Sequence, residues 1–408
     1  MTKQADRAQM VCQKADGPTA QSTGSIRTDC LVCGQRNLLN SVLFEALPLL
    51  CNALYADAAS ARAAQTGRFA TTFCLDCTHV FNASFEENRI GYTQSYENSL
   101  HFSPRFVAFV ETLAERLSRT YALSGKTIVD IGCGKGDFLK RLSLISGAQG
   151  IGFDKSFEDN RGEAVPGVRF INDWFGDSYA DLHPDLVVCR QVLEHIAEPV
   201  KFLRALRAHP GIGPETVFFF EVPNVLYTLR DMGIWDLIYE HASYFTPASL
   251  NAAFETAGFR VLDAGTSFGD QYLYIEARPA APRYATSVDS REIEMLVRNF
   301  ERAYRDKVER LGGYLAGRNP QQTVVWGGGS KGITFVNVVP GADRIRAIID
   351  VNPHKQGRFA PGTATPVVAP EALRDQPVKS IIVMNPLYRE EITSLVAELG
   401  FTPEIAVA

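Results

Sequence analysis

The sequence predicts a doubly wound, mostly parallel α/β domain, with a cysteine-bearing unit before it and a second, Rossmann-like α/β unit after it. Three observations predict this. Apolar strands alternate with amphipathic helices from Thr127 to Ala277. Two Cys-x-x-Cys pairs stand ahead of that stretch, and a second strand–glycine-loop–helix pattern opens at Thr323. The boundaries that follow are a polar, disordered tail over 1–25, a cysteine unit over 26–90, the central domain over 91–282, a linking helix over 283–320 and the C-terminal unit over 321–408.

Composition narrows the class. The chain has 408 residues, 46% of them hydrophobic and 21% charged, which suits a globular enzyme with ample core. Its 41 Lys and Arg against 46 Asp and Glu leave no basic surplus, so nucleic acid is not expected as a partner. No apolar run reaches the eighteen or so residues that a membrane helix needs. Met1 to Ser25 lacks the continuous apolar segment of a signal peptide, so a cytoplasmic protein is expected, as a monomer or homodimer.

Cys30 and Cys33 form one pair, and Cys74 and Cys77 form another about forty residues further on. Four thiolates close a tetrahedral zinc site with no open position, which makes the expected zinc structural. The next segment, Tyr92 to Pro104, is dense in hydroxyl, amide and imidazole groups and suits the lining of a polar cleft. Ser103 and Pro104 then read as N-cap and first turn of a helix through Leu117.

The central domain is organised around Thr127 to Leu139. A buried strand ends in Asp130-Ile131 and runs into Gly132-x-Gly134-x-Gly136 and a helix N-terminus, where backbone approaches a ligand closely. Further strands are expected over Gly150–Asp154, Val168–Ile171, Asp185–Cys189 and Val217–Val222, with an antiparallel pair Phe259–Thr266 and Gln271–Ala277. Asp154 is placed to hold the two hydroxyls of a ribose. Asp173 and Trp174, after the third strand, suit the amino group and ring of adenine, and Gln191 after the fourth faces the same crevice. The glycine spacing differs from the dinucleotide pattern. It is similar to the first motif of class I S-adenosylmethionine methyltransferases, and with Asp154 and Asp173 it makes S-adenosylmethionine the expected cofactor.

A long connection, Pro223 to Thr246, overlies the carboxyl edge of the sheet and carries Tyr239, Glu240 and His241. A histidine there has an ordinary pKa suited to acid–base work. Ser287 to Arg318 shows apolar residues at helical spacing. In the C-terminal unit, Gly327, Gly329, Ser330 and Lys331 at a helix start suit an anionic group of a second ligand, with Asp350 at the next strand end. Gly327, Gly329 and Gly332 with Asp350 also fit a nicotinamide-dinucleotide motif, which leaves an NAD-binding C-terminal domain as an alternative.

Taken together, the cysteine pairs, the glycine loop, Tyr239-Glu240-His241, Gly327 to Lys331 and the run from Asp350 to Gly357 resemble the three-domain, zinc-containing sugar C-methyltransferases of deoxysugar pathways (the 3-C/5-C enzymes). The resemblance spans Cys30 to the C-terminus. It implies methylation of a nucleotide-linked keto-sugar through an enolate. It also implies His241 as the base, with His195, Tyr239 and Glu240 lining the acceptor pocket and Tyr96 reaching it from the linker. Tyr239 adjoins Glu240 directly, where family members commonly carry a residue between. Leu193 to Ile196 is also similar to methyltransferases of other chemistry, so O- or N-methylation of another small metabolite is the competing expectation.

Overall fold

The computed structural model describes residues 26–93, 95–158, 164–283 and 290–408. The tail expected over 1–25 lies outside them. Among the described residues three sheets form. The first is antiparallel: β1 (Leu38–Pro48), β2 (Thr66–Cys74) and β3 (Val80–Asn82). The cysteine pairs sit around its end, Cys74 closing β2 and Cys77 lying in the turn to β3.

The helix Pro104–Tyr121 follows. Ser103 Oγ accepts from Phe106 N, and Ala122 ends the helix in the left-handed region. Phe106, Val110, Leu113 and Leu117 form one apolar stripe, buried against the central sheet's own helix Asp137–Ser146. That sheet contains β4 (Thr127–Ile131), β5 (Gln149–Phe153), β6 (Val168–Ile171), β7 (Leu186–Arg190) and β8 (Val217–Pro223). All neighbouring pairs among these five are parallel. The apolar runs of the central strands β7 and β8 follow from burial on both faces: Leu186, Val187, Val188 and Phe218 to Phe220 are all inaccessible to solvent.

A short strand, β9 (Ser243–Tyr244), comes next in the chain but joins the other sheet, pairing Val80 with Tyr244 and Phe81 with Ser243. The loop carrying Tyr239 to His241 is thereby stitched to the cysteine unit. β10 (Phe259–Ser267) and β11 (Tyr272–Pro279) complete the central sheet in the order β10-β11-β8-β7-β4-β5-β6, with β11 antiparallel to both neighbours. The strand order reverses at β4, between β5 and β7, so the ligand crevice opens at the carboxyl ends of β4 and β7.

The expected linking helix is Arg291–Ala316, and it does not bridge through solvent. Its Val297, Phe300, Leu311 and Leu315 join Phe69 of β2, Trp235 and Tyr239 of the long loop and Phe335 of the C-terminal unit in one core. The last sheet is all parallel, β14-β13-β12-β15-β16, formed by β12 (Thr323–Trp326), β13 (Ala347–Ile349), β14 (Val367–Val368), β15 (Ser380–Val383) and β16 (Glu404–Val407). Among the described residues no helix is long and apolar enough to cross a membrane.

Candidate active site

The crevice of the central sheet faces the glycine loop of the C-terminal unit across a cleft of ≈ 1440 Å³, its open mouth included. Tyr96, Gln191, His195 and His241 border one side, and Gly327, Lys331 and Lys355 the other. Each arrives for a structural reason. His195 ends the 3₁₀ turn Leu193–His195 directly after β7. His241 is held by the short strand that follows it, and Tyr96 by an antiparallel bridge to Ala53.

Glu240 is fully buried and anchors the cluster. It accepts from Cys51 N at 2.9 Å and from the Tyr96 hydroxyl at 2.7 Å. Burial pushes its carboxyl up to about 7, although the backbone amide and the phenols oppose that. His195 Nδ1 lies 3.0 Å from the Glu240 carbonyl and 2.8 Å from the Tyr92 hydroxyl. Burial lowers the His195 imidazole to about 4. His241 stacks edge-on against His195 with ring centroids 4.7 Å apart. Its Nδ1 is buried with no hydrogen-bond partner among the described residues, and burial, then the neighbouring His195 and Lys331, keeps the ring neutral. Burial also raises Tyr92 and Tyr96 well above the ordinary phenol range, so both keep their protons.

Tyr239 corrects an expectation. It is adjacent to Glu240 in sequence, yet its side chain leaves on the opposite side of the loop. Its hydroxyl accepts from Glu86 N at 3.2 Å, and its ring packs over Gly67 in the core of the cysteine unit. The two residues lie in a turn closed by His241 N donating to Ile238 O, which sends Tyr239 into that core and Glu240 to Cys51 and Tyr96, buried behind the cleft lining. Lys331 is revised too: it borders the cleft but is ion-paired to Asp236. The ammonium that meets only neutral oxygens among the described residues is Lys355. It is buried, with Nζ 3.2 Å from Gly328 O and 3.4 Å from Asn52 Oδ1. Asp350 accepts from Gly328 N and Asn352 N, which shapes the loop containing Gly327, Gly329 and Ser330.

Sequence reasoning missed Tyr92, Asn52, Lys355 and Glu194. The first stood in the hydroxyl-rich linker, four positions before Tyr96. Glu194 lay unremarked within the run Leu193 to Ile196. Asn52 left no signal, because it reaches the cleft from the turn after β1.

The cofactor residues lie at the adjoining strand ends. Gly132, Gly134 and Gly136 all have left-handed backbone, and a methyl group placed on Gly134 would meet nothing nearer than Asn98 Oδ1 at 3.7 Å. That open face beside a helix N-terminus fits a ligand lying against backbone. Asp154 braces the loop, accepting from Gly134 N at 2.8 Å on Oδ2 and from Ser156 N and Oγ on Oδ1, which leaves an Oδ2 lone pair for a ribose hydroxyl. Asp130 is buried beneath the loop, its carboxyl raised to about 7 by burial. Asp173 is tied to Lys155 and Tyr179 at the rim, next to a half-exposed Trp174. Gln191, with positive φ, donates to Glu221. In the cysteine unit, which shares a core with Leu193 and Phe245, Cys30 and Cys77 Sγ are 3.5 Å apart, as are Cys33 and Cys74 Sγ, and all four atoms lie within 4.8 Å of one another. A tetrahedron with bonds of about 2.3 Å has edges of about 3.8 Å, so the cluster fits zinc.

Two family matches agree with this layout. The methyltransferase domain family matches residues 101–264, and the C-methyltransferase C-terminal domain family matches residues 290–400. The C-methyltransferase NovU of Streptomyces niveus is 27% identical over 373 residues, covering 84% of this chain and 86% of that protein. A ubiquinone biosynthesis O-methyltransferase of Pseudoalteromonas translucida strain TAC 125 is 28% identical over 193 residues, covering 42% of this chain and 76% of its own. Among solved structures, a 1,6-didemethyltoxoflavin-N1-methyltransferase of Burkholderia thailandensis with bound S-adenosylhomocysteine aligns with a TM-score of 0.32 at 15% identity, covering 50% of this chain and 97% of that one.

The sheet order, the glycine loop and the central match define a class I S-adenosylmethionine-dependent methyltransferase. With the second domain matched as well, the chain is similar over both units to C-methyltransferases that carry this C-terminal domain.

Proposed function

We propose that this enzyme methylates a carbon beside the ketone of a nucleotide-linked keto-sugar, through an enolate formed by His241. One observation carries the reading: a buried, neutral imidazole with an unpartnered ring nitrogen borders the cleft between the cofactor crevice and the C-terminal glycine loop. A carbon acid needs such a base, whereas a hydroxyl or amine acceptor needs less activation.

Bound S-adenosylmethionine supplies a methyl group that is already electrophilic. His241 takes the α-proton of the acceptor. Tyr96 borders the same cleft and keeps its proton, so its hydroxyl donates to the ketone oxygen as charge develops there, exchanging its bond to Glu240 for one to the acceptor. His195 is fixed by Tyr92 and the Glu240 carbonyl and packs against the His241 ring. Lys355 and the amides at the start of the helix Ser330–Val338 hold the acceptor's diphosphate. The four-cysteine cluster holds structural zinc, which fixes the sheet that β9 joins.

The test is hydrogen exchange. With S-adenosylhomocysteine in place of the methyl donor, wild type exchanges the acceptor's α-hydrogen with deuterated water. His241→Asn keeps size and polarity but cannot take the proton, so exchange and methylation both fall by about 10²–10⁴-fold. Near-normal exchange in that variant refutes the role of His241. Methylation of an oxygen or nitrogen acceptor without exchange favours the O- or N-methyltransferase reading.

A further inference from the structure

Beside the proposed base lies a group the methylation chemistry does not use. Glu194 is 1% exposed, borders the cleft, and has no hydrogen-bond partner for either carboxylate oxygen among the described residues. A buried carboxyl with nothing to bond is costly, and its usual explanation is a group that the site is shaped to receive. His241 contributes a third orphaned atom, Nδ1.

These atoms converge. One ligand atom each from Glu194, His195 and His241 lie within 4.8 Å of one another, and His195 Nε2 is 4.0 Å from Glu194 Oε1. Contraction of about an ångström brings such a set around one ion with bonds of about 2.0–2.2 Å. His195 also has the outer partners that metal-bound histidines have: Nδ1 is held by a backbone carbonyl and a phenol, leaving Nε2 toward Glu194. Two imidazoles and one carboxylate suit a borderline divalent cation such as zinc.

We propose that Glu194, His195 and His241 form a second, reversible metal site, and that a zinc-class cation bound there switches the enzyme off by occupying the base. This rests on the reading of His241 as the base. No covalent step is involved: the metal takes a ring-nitrogen lone pair that otherwise accepts the α-proton.

Cobalt(II) is the probe, added to the full-length enzyme with its four-cysteine site already filled with zinc. The expected result is one further equivalent of cobalt bound by wild type, with d–d absorption but no thiolate charge-transfer band. Deuterium exchange of the acceptor's α-hydrogen and methylation then decline together with occupancy, and a chelator restores both. Glu194→Gln keeps the side chain's size and removes the anionic ligand, so cobalt affinity falls by about 10- to 100-fold or more, and the inhibition shifts to higher metal by the same factor. Tight binding retained in Glu194→Gln, no additional equivalent in wild type, or cobalt-stimulated turnover each overturns the proposal. Metal binding is read by absorption without turnover, so a failure of the base reading shows separately, as exchange that persists with the site full.

Discussion

Two neighbouring glycines in the cofactor loop predict opposite outcomes for the same substitution. Gly134 and Gly136 both have left-handed backbone, with φ of 57° and 82°. Alanine at either costs about 1–2 kcal/mol of backbone strain, offset by about 0.4–1 kcal/mol from the stiffer unfolded chain. At Gly134 the new methyl enters open space, so Gly134→Ala destabilises by about 0–1.6 kcal/mol on these figures. At Gly136 the methyl would lie 2.4 Å from the Phe170 ring. That ring is pinned, stacked on Phe157 with centroids 4.3 Å apart. Overpacking of this kind costs a further 1–3 kcal/mol or so, which is the expected stability difference between the two variants.

Cofactor affinity runs the other way, because the open space over Gly134 is where the reading places S-adenosylmethionine. At a hundred times its dissociation constant the ligand stabilises wild type by about 2.7 kcal/mol. A tenfold loss of affinity in Gly134→Ala cuts that to about 1.4 kcal/mol at the same concentration. Denaturation with and without S-adenosylmethionine, backed by calorimetry, measures both quantities. Full ligand stabilisation retained in Gly134→Ala refutes the cradle. Equal stability of the two variants refutes the claim that Phe170 cannot give way.

Two further expectations concern the outer units. Protein prepared without chelator should carry about one zinc per chain, and Cys74→Ser should lose it together with stability, since structural zinc contributes folding energy directly; metal analysis of both proteins decides the point. Lys355→Met keeps the buried stem but removes the one cleft ammonium without a carboxylate partner among the described residues, so on the proposed reading KM for a nucleotide-linked acceptor should rise by about 10- to 100-fold, the 1.5–3 kcal/mol of a charged hydrogen bond. Lys331→Met should change KM much less, and the reverse ranking would return the phosphate to Lys331.

Much of the protein was legible from local pattern. Strands β4 and β12 coincide within a residue with the apolar runs that announced them, because burial on both faces favours apolar sequence. Ser103 and Pro104 announced their helix because the cap is a local hydrogen bond. The paired cysteines and the three alternating glycines likewise carry their meaning in spacing alone.

The acceptor site was legible only in part, since long-range packing decides which side of a loop faces the cleft. From the sequence Tyr239 and Glu240 were equivalent candidates; pairing of β9 with β3 sends the first into the core and the second to the cluster. Lys331 looked free until Asp236, 95 residues earlier, was folded against it. Lys355 and Asn52, 303 residues apart, meet only because the C-terminal sheet closes over the turn after β1. Glu194 shows the same division. Its place after β7 follows from the strand–loop pattern, but that its carboxylate is buried, unpaired and beside two imidazoles depends on three segments converging, which no local spacing encodes.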